Sequence, residues 1–148
     1  MLKKIRIQRV SIFDIVATLV LAVALVAFAG QIYFDFASYA SIAIGSARLF
    51  GVHLRENFHR PLVSASIADF WNRWHMTLSF WFRDFIFMRF TFFAMKKRLI
   101  KNRNRLAQVA YLVNFMVMAV WHGLTWYYIV YGLYHALAII INDIWLRF

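Results

Sequence analysis

Residues 106–142 read LAQVAYLVNFMVMAVWHGLTWYYIVYGLYHALAIIIN, 37 positions without a single Lys, Arg, Asp or Glu. One helix needs roughly 20 apolar residues to cross a hydrocarbon core of about 30 Å. The run is nearly twice that long, so it must fold back on itself, and Gly123 is the natural place for the break. Two helices are expected, Leu106 to Trp121 and Leu124 to Trp145. At about 1.5 Å per residue the first spans only about 24 Å, short of the hydrocarbon thickness. His122 is therefore expected at a helix end inside the membrane. An ionisable group at such depth is costly and usually faces a cavity, a pathway or a partner.

The rest of the chain fits this reading. Its 148 residues are 64% hydrophobic and 20% aromatic, which no ordinary soluble domain of that size matches. The expected class is an all-α integral membrane protein with about three to five spanning or re-entrant helices. With no cysteine there is no disulfide framework, thiolate nucleophile or zinc-thiolate site. The net charge of +11, from 17 basic residues against 6 acidic ones, gathers in two clusters. Lys3, Lys4, Arg6 and Arg9 precede the first apolar run; Lys96, Lys97, Arg98, Lys101, Arg103 and Arg105 separate two later ones. Cytoplasmic flanks of spanning helices have this character. Neither cluster sits on a foldable soluble surface, so nucleic acid is not an expected partner. With both clusters cytoplasmic, the chain starts and ends inside after an even number of crossings.

Towards the N-terminus, Ile15 to Phe34 has the length of one span, with Asp14 at its entrance and Asp35 at its exit. A basic start and Ala27-Phe28-Ala29 before Gly30 also resemble a cleavable signal peptide. Against cleavage, the apolar character resumes at once in Gln31 to Phe34 and again in Ala37 to Val52. The latter, rich in small residues and carrying Arg48, suits a re-entrant or helix-packed segment. After a polar connection, His53 to Pro61, Ser66 and Asp69 read as a capped helix start. The helix expected next, Phe70 to Phe93, is dense in aromatics yet holds Arg73, His75, Arg83, Asp84 and Arg89. Its Trp71, Trp74, His75, Leu78 and Phe82 share one face, and Asp69 and Arg73 stand four apart in the favourable order. Such a mixture fits either a crossing or the membrane interface.

A neutral imidazole accepts a proton from a hydroxyl, and a water-poor setting keeps it neutral, so His122 fits a general base. A structural hydrogen bond to a neighbouring helix is the bland alternative. For His75, beside Arg73 and Trp74, the interfacial structural role is the simpler reading. His135, amid Tyr127, Tyr128, Tyr131 and Tyr134, reads as part of a tyrosine-lined wall, and His53 and His59 as solvated. No histidine pair has carboxylates at metal-ligand spacing, and there is no Gly-rich phosphate loop or nucleophile elbow. No bound cofactor or metal is expected.

Residues 69–84, DFWNRWHMTLSFWFRD, followed about forty residues on by Trp121-His122-Gly123-Leu-Thr-Trp126 and Tyr131-Gly-Leu-Tyr-His135, closely resemble the membrane-bound O-acyltransferase family. Tyr33 to Tyr39 and Glu56-Asn57-Phe58 also look like that family, so the resemblance covers residues 31–148, a partial version of its fold, and leaves out residues 1–30. Within the family the pattern is most similar to members that transfer D-alanine to teichoic acid in Gram-positive bacteria. Alginate-type O-acetyltransferases share the Arg-Trp-His and Trp-His elements but continue differently after Arg83-Asp84, where this chain reads Phe85-Ile-Phe-Met-Arg89-Phe.

The resemblance implies a multi-pass protein of the plasma membrane, with His122 as the catalytic histidine and His75 as the second characteristic one. It implies Trp121, Trp126, Trp74, Tyr131 and His135 as substrate-binding or tunnel-lining residues. The donor it implies is a D-alanyl thioester on the phosphopantetheine arm of an acidic carrier protein, and the acceptor a teichoic acid hydroxyl. Family members are longer and ring a tunnel with more helices. The chain is thus expected either to work with a separate N-terminal half or to be a truncated, non-catalytic fragment. An O-acetyltransferase of another surface polysaccharide is the remaining alternative.

Overall fold

A computed structural model of the protein describes residues 11–147, which form two compact units, residues 11–51 and 52–147. The N-terminal basic cluster, Lys3, Lys4, Arg6 and Arg9, lies outside the described residues, as does the basic stretch of the signal-peptide alternative.

The first unit is one helix, α1, Ile12–Leu49. Ser11 opens it with a capping box: its hydroxyl accepts from the Phe13 amide at 3.3 Å, and the Asp14 carboxylate accepts from the Ser11 amide at 2.9 Å. The expected break after Phe34 does not occur. Asp35 lies inside the helix, and Ala37 to Val52 is not a separate re-entrant piece. The residues there are Ala-rich and contain no Pro. The hydroxyls of Ser38 and Ser41 bond back to the carbonyls of Asp35 and Ala37, at 3.0 and 2.9 Å, so no polar group interrupts the ladder. The stop comes at Gly51, whose φ of 74° is the left-handed close of a helix, with its amide on the Arg48 carbonyl. The 38 residues extend about 57 Å at about 1.5 Å each, well beyond one bilayer core.

Every secondary-structure element among the described residues of the second unit is helical. A short 3-10 turn, Pro61–Val63, leads to α2, Ile67–Trp71; α3, Met76–Phe82, runs through a π-helical turn, Arg83–Phe87, into α4, Met88–Lys96. The hairpin of α5, Arg103–His122, and α6, Trp126–Trp145, follows. The single helix expected over Phe70 to Phe93 is thus interrupted twice; of the residues expected on one face, Trp71, Leu78 and Phe82 still meet one core, while Trp74 and His75 pack on Phe58. At the first break the chain turns at Asn72 to His75, because residues 57–59 pair with it from a distance. The His59 amide donates to the Arg73 carbonyl at 2.9 Å, and the Met76 amide to the Asn57 carbonyl at 2.8 Å. At the second, the Met88 amide reaches back five residues to Arg83.

The α5–α6 hairpin is the frame of the unit. Asn102 caps α5 through its side-chain oxygen, which accepts from the amides of Asn104 and Arg105 at 2.9 and 3.1 Å. Helix α5 therefore begins inside what reads as the basic loop, three residues before Leu106. At the other end of the hairpin's sequence, Arg147 pairs with Asp143 at 2.8 Å and donates to the Asn104 side chain at 2.7 Å. The helices meet on small residues: Ala119, Gly132 and Ala136 are buried, and a β-carbon on Gly132 would lie 2.6 Å from that of Ala119 and 2.8 Å from the Phe115 carbonyl oxygen. Such residues let backbones approach where lipid supplies no hydrophobic drive. Phe82 from α3 packs into the same core as Phe115, Met118 and Ile139, with Trp71 and Tyr111 at its margin. Among the described residues two helices are long and apolar enough to cross a membrane, α1 and α6.

Candidate functional site

The loop between α5 and α6 displays His122. Helix α5 ends on this residue, and the backbone then runs extended through Gly123. A β-carbon at position 123 would sit 2.9 Å from two ring carbons of Tyr128, so only glycine lets that ring lie where it does. The Tyr128 ring in turn stacks on the His122 imidazole, centroids 5.7 Å apart and planes 19° apart. On the other side Trp121 presents its edge at 4.8 Å and meets Phe82 of α3 at 6.1 Å. His122 is held by rings yet exposed, and Trp121 is 59% exposed. Trp126 stands apart, 76% exposed, against Tyr127.

His75 occupies the turn between α2 and α3. Its backbone is left-handed, φ 42° and ψ 53°, which costs a residue with a β-carbon roughly 1–2 kcal/mol. The opposite strand of chain holds it there. Asn57 Oδ1 lies 3.2 Å from His75 Nδ1 and accepts from the Thr77 amide at 3.3 Å and the Thr77 hydroxyl at 2.6 Å. Phe58 stacks on the His75 ring at 6.4 Å and meets Trp74 edge-on at 5.1 Å, while Trp74 stacks on Phe70 at 5.5 Å. Half-burial pushes the His75 imidazole below the ordinary histidine range, and the charge of His122, near enough to be felt, pushes it the same way.

The start of α2 is capped as the sequence suggests. The Ser66 hydroxyl accepts from the Asp69 amide at 3.1 Å, and the Asp69 carboxylate accepts from the Ala65 amide at 3.1 Å. The Arg73 guanidinium bonds the same carboxylate at 2.8 Å and, together with the Ala65 amide, holds it below the usual carboxylate range.

His135 is buried on α6. Tyr131 packs on it at 4.3 Å, Trp71 at 5.0 Å, Tyr134 at 5.1 Å and Phe115 at 6.1 Å. Of the expected tyrosine wall only Tyr131 and Tyr134 pack on His135; Tyr128 stacks on His122 instead, Tyr127 lies against Trp126 and Tyr128, and α2 and α5 supply the other two rings through Trp71 and Phe115. The Nδ1 of His135, Nε1 of Trp71 and Oδ1 of Asn114 are buried without a hydrogen-bond partner among the described residues. A cavity of about 220 Å³ opens beside them, lined by Trp71, Arg83, Tyr111, Asn114, Phe115 and Met118 among others. None of Trp121, Trp126, Trp74, Tyr131 or His135 lines it. The structure thus groups the expected site residues in three: His122 with Trp121, His75 with Trp74, and His135 with Tyr131. Sequence reasoning gave no role to Asn57 and did not connect Tyr128 with His122. Asn57 stands eighteen residues from its partner, and no local period announces such a contact. Among the described residues no group of three or more His, Asp or Glu comes together to hold a metal.

The imidazole of His122 stands at a helix end, as the sequence anticipates, whereas that of His75 stands in a left-handed turn and not within the expected helix. The chain belongs to the membrane-bound O-acyltransferase family, whose model matches residues 2–148. Among its relatives is a teichoic acid D-alanyltransferase of Streptococcus thermophilus, 50% identical over 117 residues, which make up 79% of this chain and 28% of that protein. The teichoic acid D-alanyltransferase of Bacillus subtilis is 54% identical over 105 residues, covering 71% of this chain and 27% of the relative. A protein of Azotobacter vinelandii named "Probable alginate O-acetylase" is 35% identical over 114 residues, 74% of this chain and 20% of the relative. The chain therefore spans under a third of the length of each of these relatives.

Proposed function

We propose that the chain is the histidine-bearing part of a multi-pass acyltransferase of the plasma membrane, passing D-alanine to hydroxyl groups of teichoic acid. The observation that carries this reading is the half-identity to two teichoic acid D-alanyltransferases, against about a third to an alginate-type relative. The donor is a D-alanyl thioester on the phosphopantetheine arm of an acidic carrier protein. The basic residues around the start of α5, Lys101, Arg103 and Arg105, suit an acidic surface.

His122 acts as general base. Its imidazole takes the proton of the acceptor hydroxyl, the oxygen bonds to the thioester carbonyl carbon, the carbon–sulfur bond breaks, and the proton passes to the departing thiolate. Tyr128 and Trp121 hold the ring in place by stacking and edge contact, so orientation is set before substrate arrives. His75 contributes a second imidazole on the same side of the chemistry, and Trp74, Trp126, Tyr131 and His135 line the approach. Replacing His122 with Ala in cells that depend on this chain should abolish D-alanine ester on teichoic acid; unchanged ester content would refute the assignment.

The exposure of His122 and Trp121 favours one refinement, that these residues work only when further helices, in a separate N-terminal half, cover them. Expressing the 148 residues alone in a strain without the enzyme tests it. Restored D-alanylation would show that no such cover is needed, whereas no restoration, with the protein present in the membrane, fits either that requirement or a non-catalytic fragment. Co-expression of a separate N-terminal half separates those two.

A further inference from the structure

We propose that Asn57 is a positioning residue that fixes His75 in the tautomer with its proton on Nδ1, which makes Nε2 the accepting nitrogen. The proposal rests on the reading of His75 as part of the acyl-transfer site for its functional meaning, but its geometry stands independently. The decisive contact is not the one to the histidine. Asn57 Oδ1 accepts from the backbone amide of Thr77 at 3.3 Å, and an amide N–H only donates, so the atom facing it is the side-chain oxygen rather than the nitrogen. That same oxygen takes the Thr77 hydroxyl at 2.6 Å and lies 3.2 Å from His75 Nδ1. An amide oxygen carries no proton to give. The hydrogen bond to His75 therefore requires the proton to be on Nδ1, and a neutral imidazole has only one.

The backbone makes the placement rigid. On one side of His75 the Met76 amide donates to the Asn57 carbonyl, and on the other the His59 amide donates to the Arg73 carbonyl. Residues 57–59 thus clamp both flanks of a residue whose left-handed backbone would relax if released. Phe58, between the two clamping residues, lays its ring along the imidazole and limits its rotation. Asn57 is the member of this segment that reads out a nitrogen rather than a shape. A base or hydrogen-bond acceptor in an acyl-transfer site has to present a lone pair, and the tautomer decides which ring nitrogen carries it.

The test is spectroscopic and needs no substrate. The full chain is labelled with ¹⁵N-histidine, purified in lipid nanodiscs above neutral pH, and its ring nitrogens are read by long-range ¹H–¹⁵N correlation, with the His75 signals assigned by their loss in His75→Gln. The expected result is a protonated Nδ1 and an unprotonated Nε2 at His75. Asn57→Ala should move His75 to the Nε2-protonated form or to a mixture, while Asn57→Asp, which keeps an accepting oxygen, should preserve the Nδ1-protonated form. Nε2 protonation in the unsubstituted chain overturns the proposal, and so does an unaltered tautomer in a folded Asn57→Ala. If Asn57→Ala does not fold, the unsubstituted chain and Asn57→Asp still decide. Loss of the D-alanyl assignment would leave these spectra untouched, so the two readings fail separately.

Discussion

Replacing Gly132 with Ala adds one methyl group where α5 and α6 come closest to sharing space. Placed ideally, that carbon lies 2.6 Å from Ala119 Cβ and 2.8 Å from the Phe115 carbonyl oxygen, against an optimum of about 3.5–4.0 Å between carbons. The first neighbour is a side chain and the second is backbone, so the helices must separate by about 1 Å. Overpacking of this kind costs about 1–3 kcal/mol. It is partly offset by the helix preference of Ala over Gly, about 0.5–1 kcal/mol. The net expectation is a loss of about 1 kcal/mol, measured as the shift in unfolding of the purified chain in mixed micelles by a denaturing detergent, followed by far-ultraviolet circular dichroism. Ala119→Gly in the same chain removes the 2.6 Å contact but not the 2.8 Å one, so the double variant should recover only part of the loss. Gly30→Ala is the control: nothing lies within 4 Å of the added carbon, and the helix preference should appear unopposed. A Gly132→Ala chain as stable as the unsubstituted one, or stabilised like Gly30→Ala, would refute the close approach and the hairpin geometry with it.

Gly123→Ala pushes on the Tyr128 ring and should cost D-alanine ester formation at near-normal protein levels, while Tyr128→Phe, which keeps the stacked ring, should retain it. Ser66→Ala removes the cap of a five-residue helix and should lower stability by about 1 kcal/mol in the same unfolding assay. His75 should titrate below 6.5, read from its ring nitrogens by NMR. Because the folded chain disfavours its protonated form, His75 contributes stability that is full above 6.5 and is lost as the pH falls from 6.5 towards the folded value. His75→Gln should remove that part of the pH dependence, and an unaltered slope would count against the burial of the ring.

The helical class, the membrane setting and the break at Gly123 were legible because they rest on composition and on one residue with unusual freedom. The capped start at Ser66 and the ion pair of Asp69 with Arg73 were legible too, since both lie within four residues. What local reading missed has one cause. Hydropathy marks where a helix leaves lipid, not where it ends, so α1 continues through Asp35 and Arg48 to the glycine that stops it. Periodicity assumes an uninterrupted helix, and the Asn57 segment breaks one from eighteen residues away. The motifs at His75 and His122 could be read from their residues, but the rings that orient them could not. Tyr128 comes to His122 only because α6 folds back on α5, and Phe58 comes to His75 only because residues 57–59 pair with the distant turn at Asn72 to His75.

The π-helical turn at Arg83–Phe87 accommodates one residue more than a regular helix of that rise would. It is an insertion carried inside a helix instead of in a loop, and it splits α3 and α4 into two angular frames about 100° apart. Deleting a residue there would heal the hydrogen-bond ladder and still damage the protein, because Ala94, fully buried on α4, would be swung out of its seat while Phe82 stayed in its own. Aligning this stretch with a homologue that lacks the bulge therefore calls for a gap within the helix. A gapless match would pair residues that face different neighbours from Met88 onward.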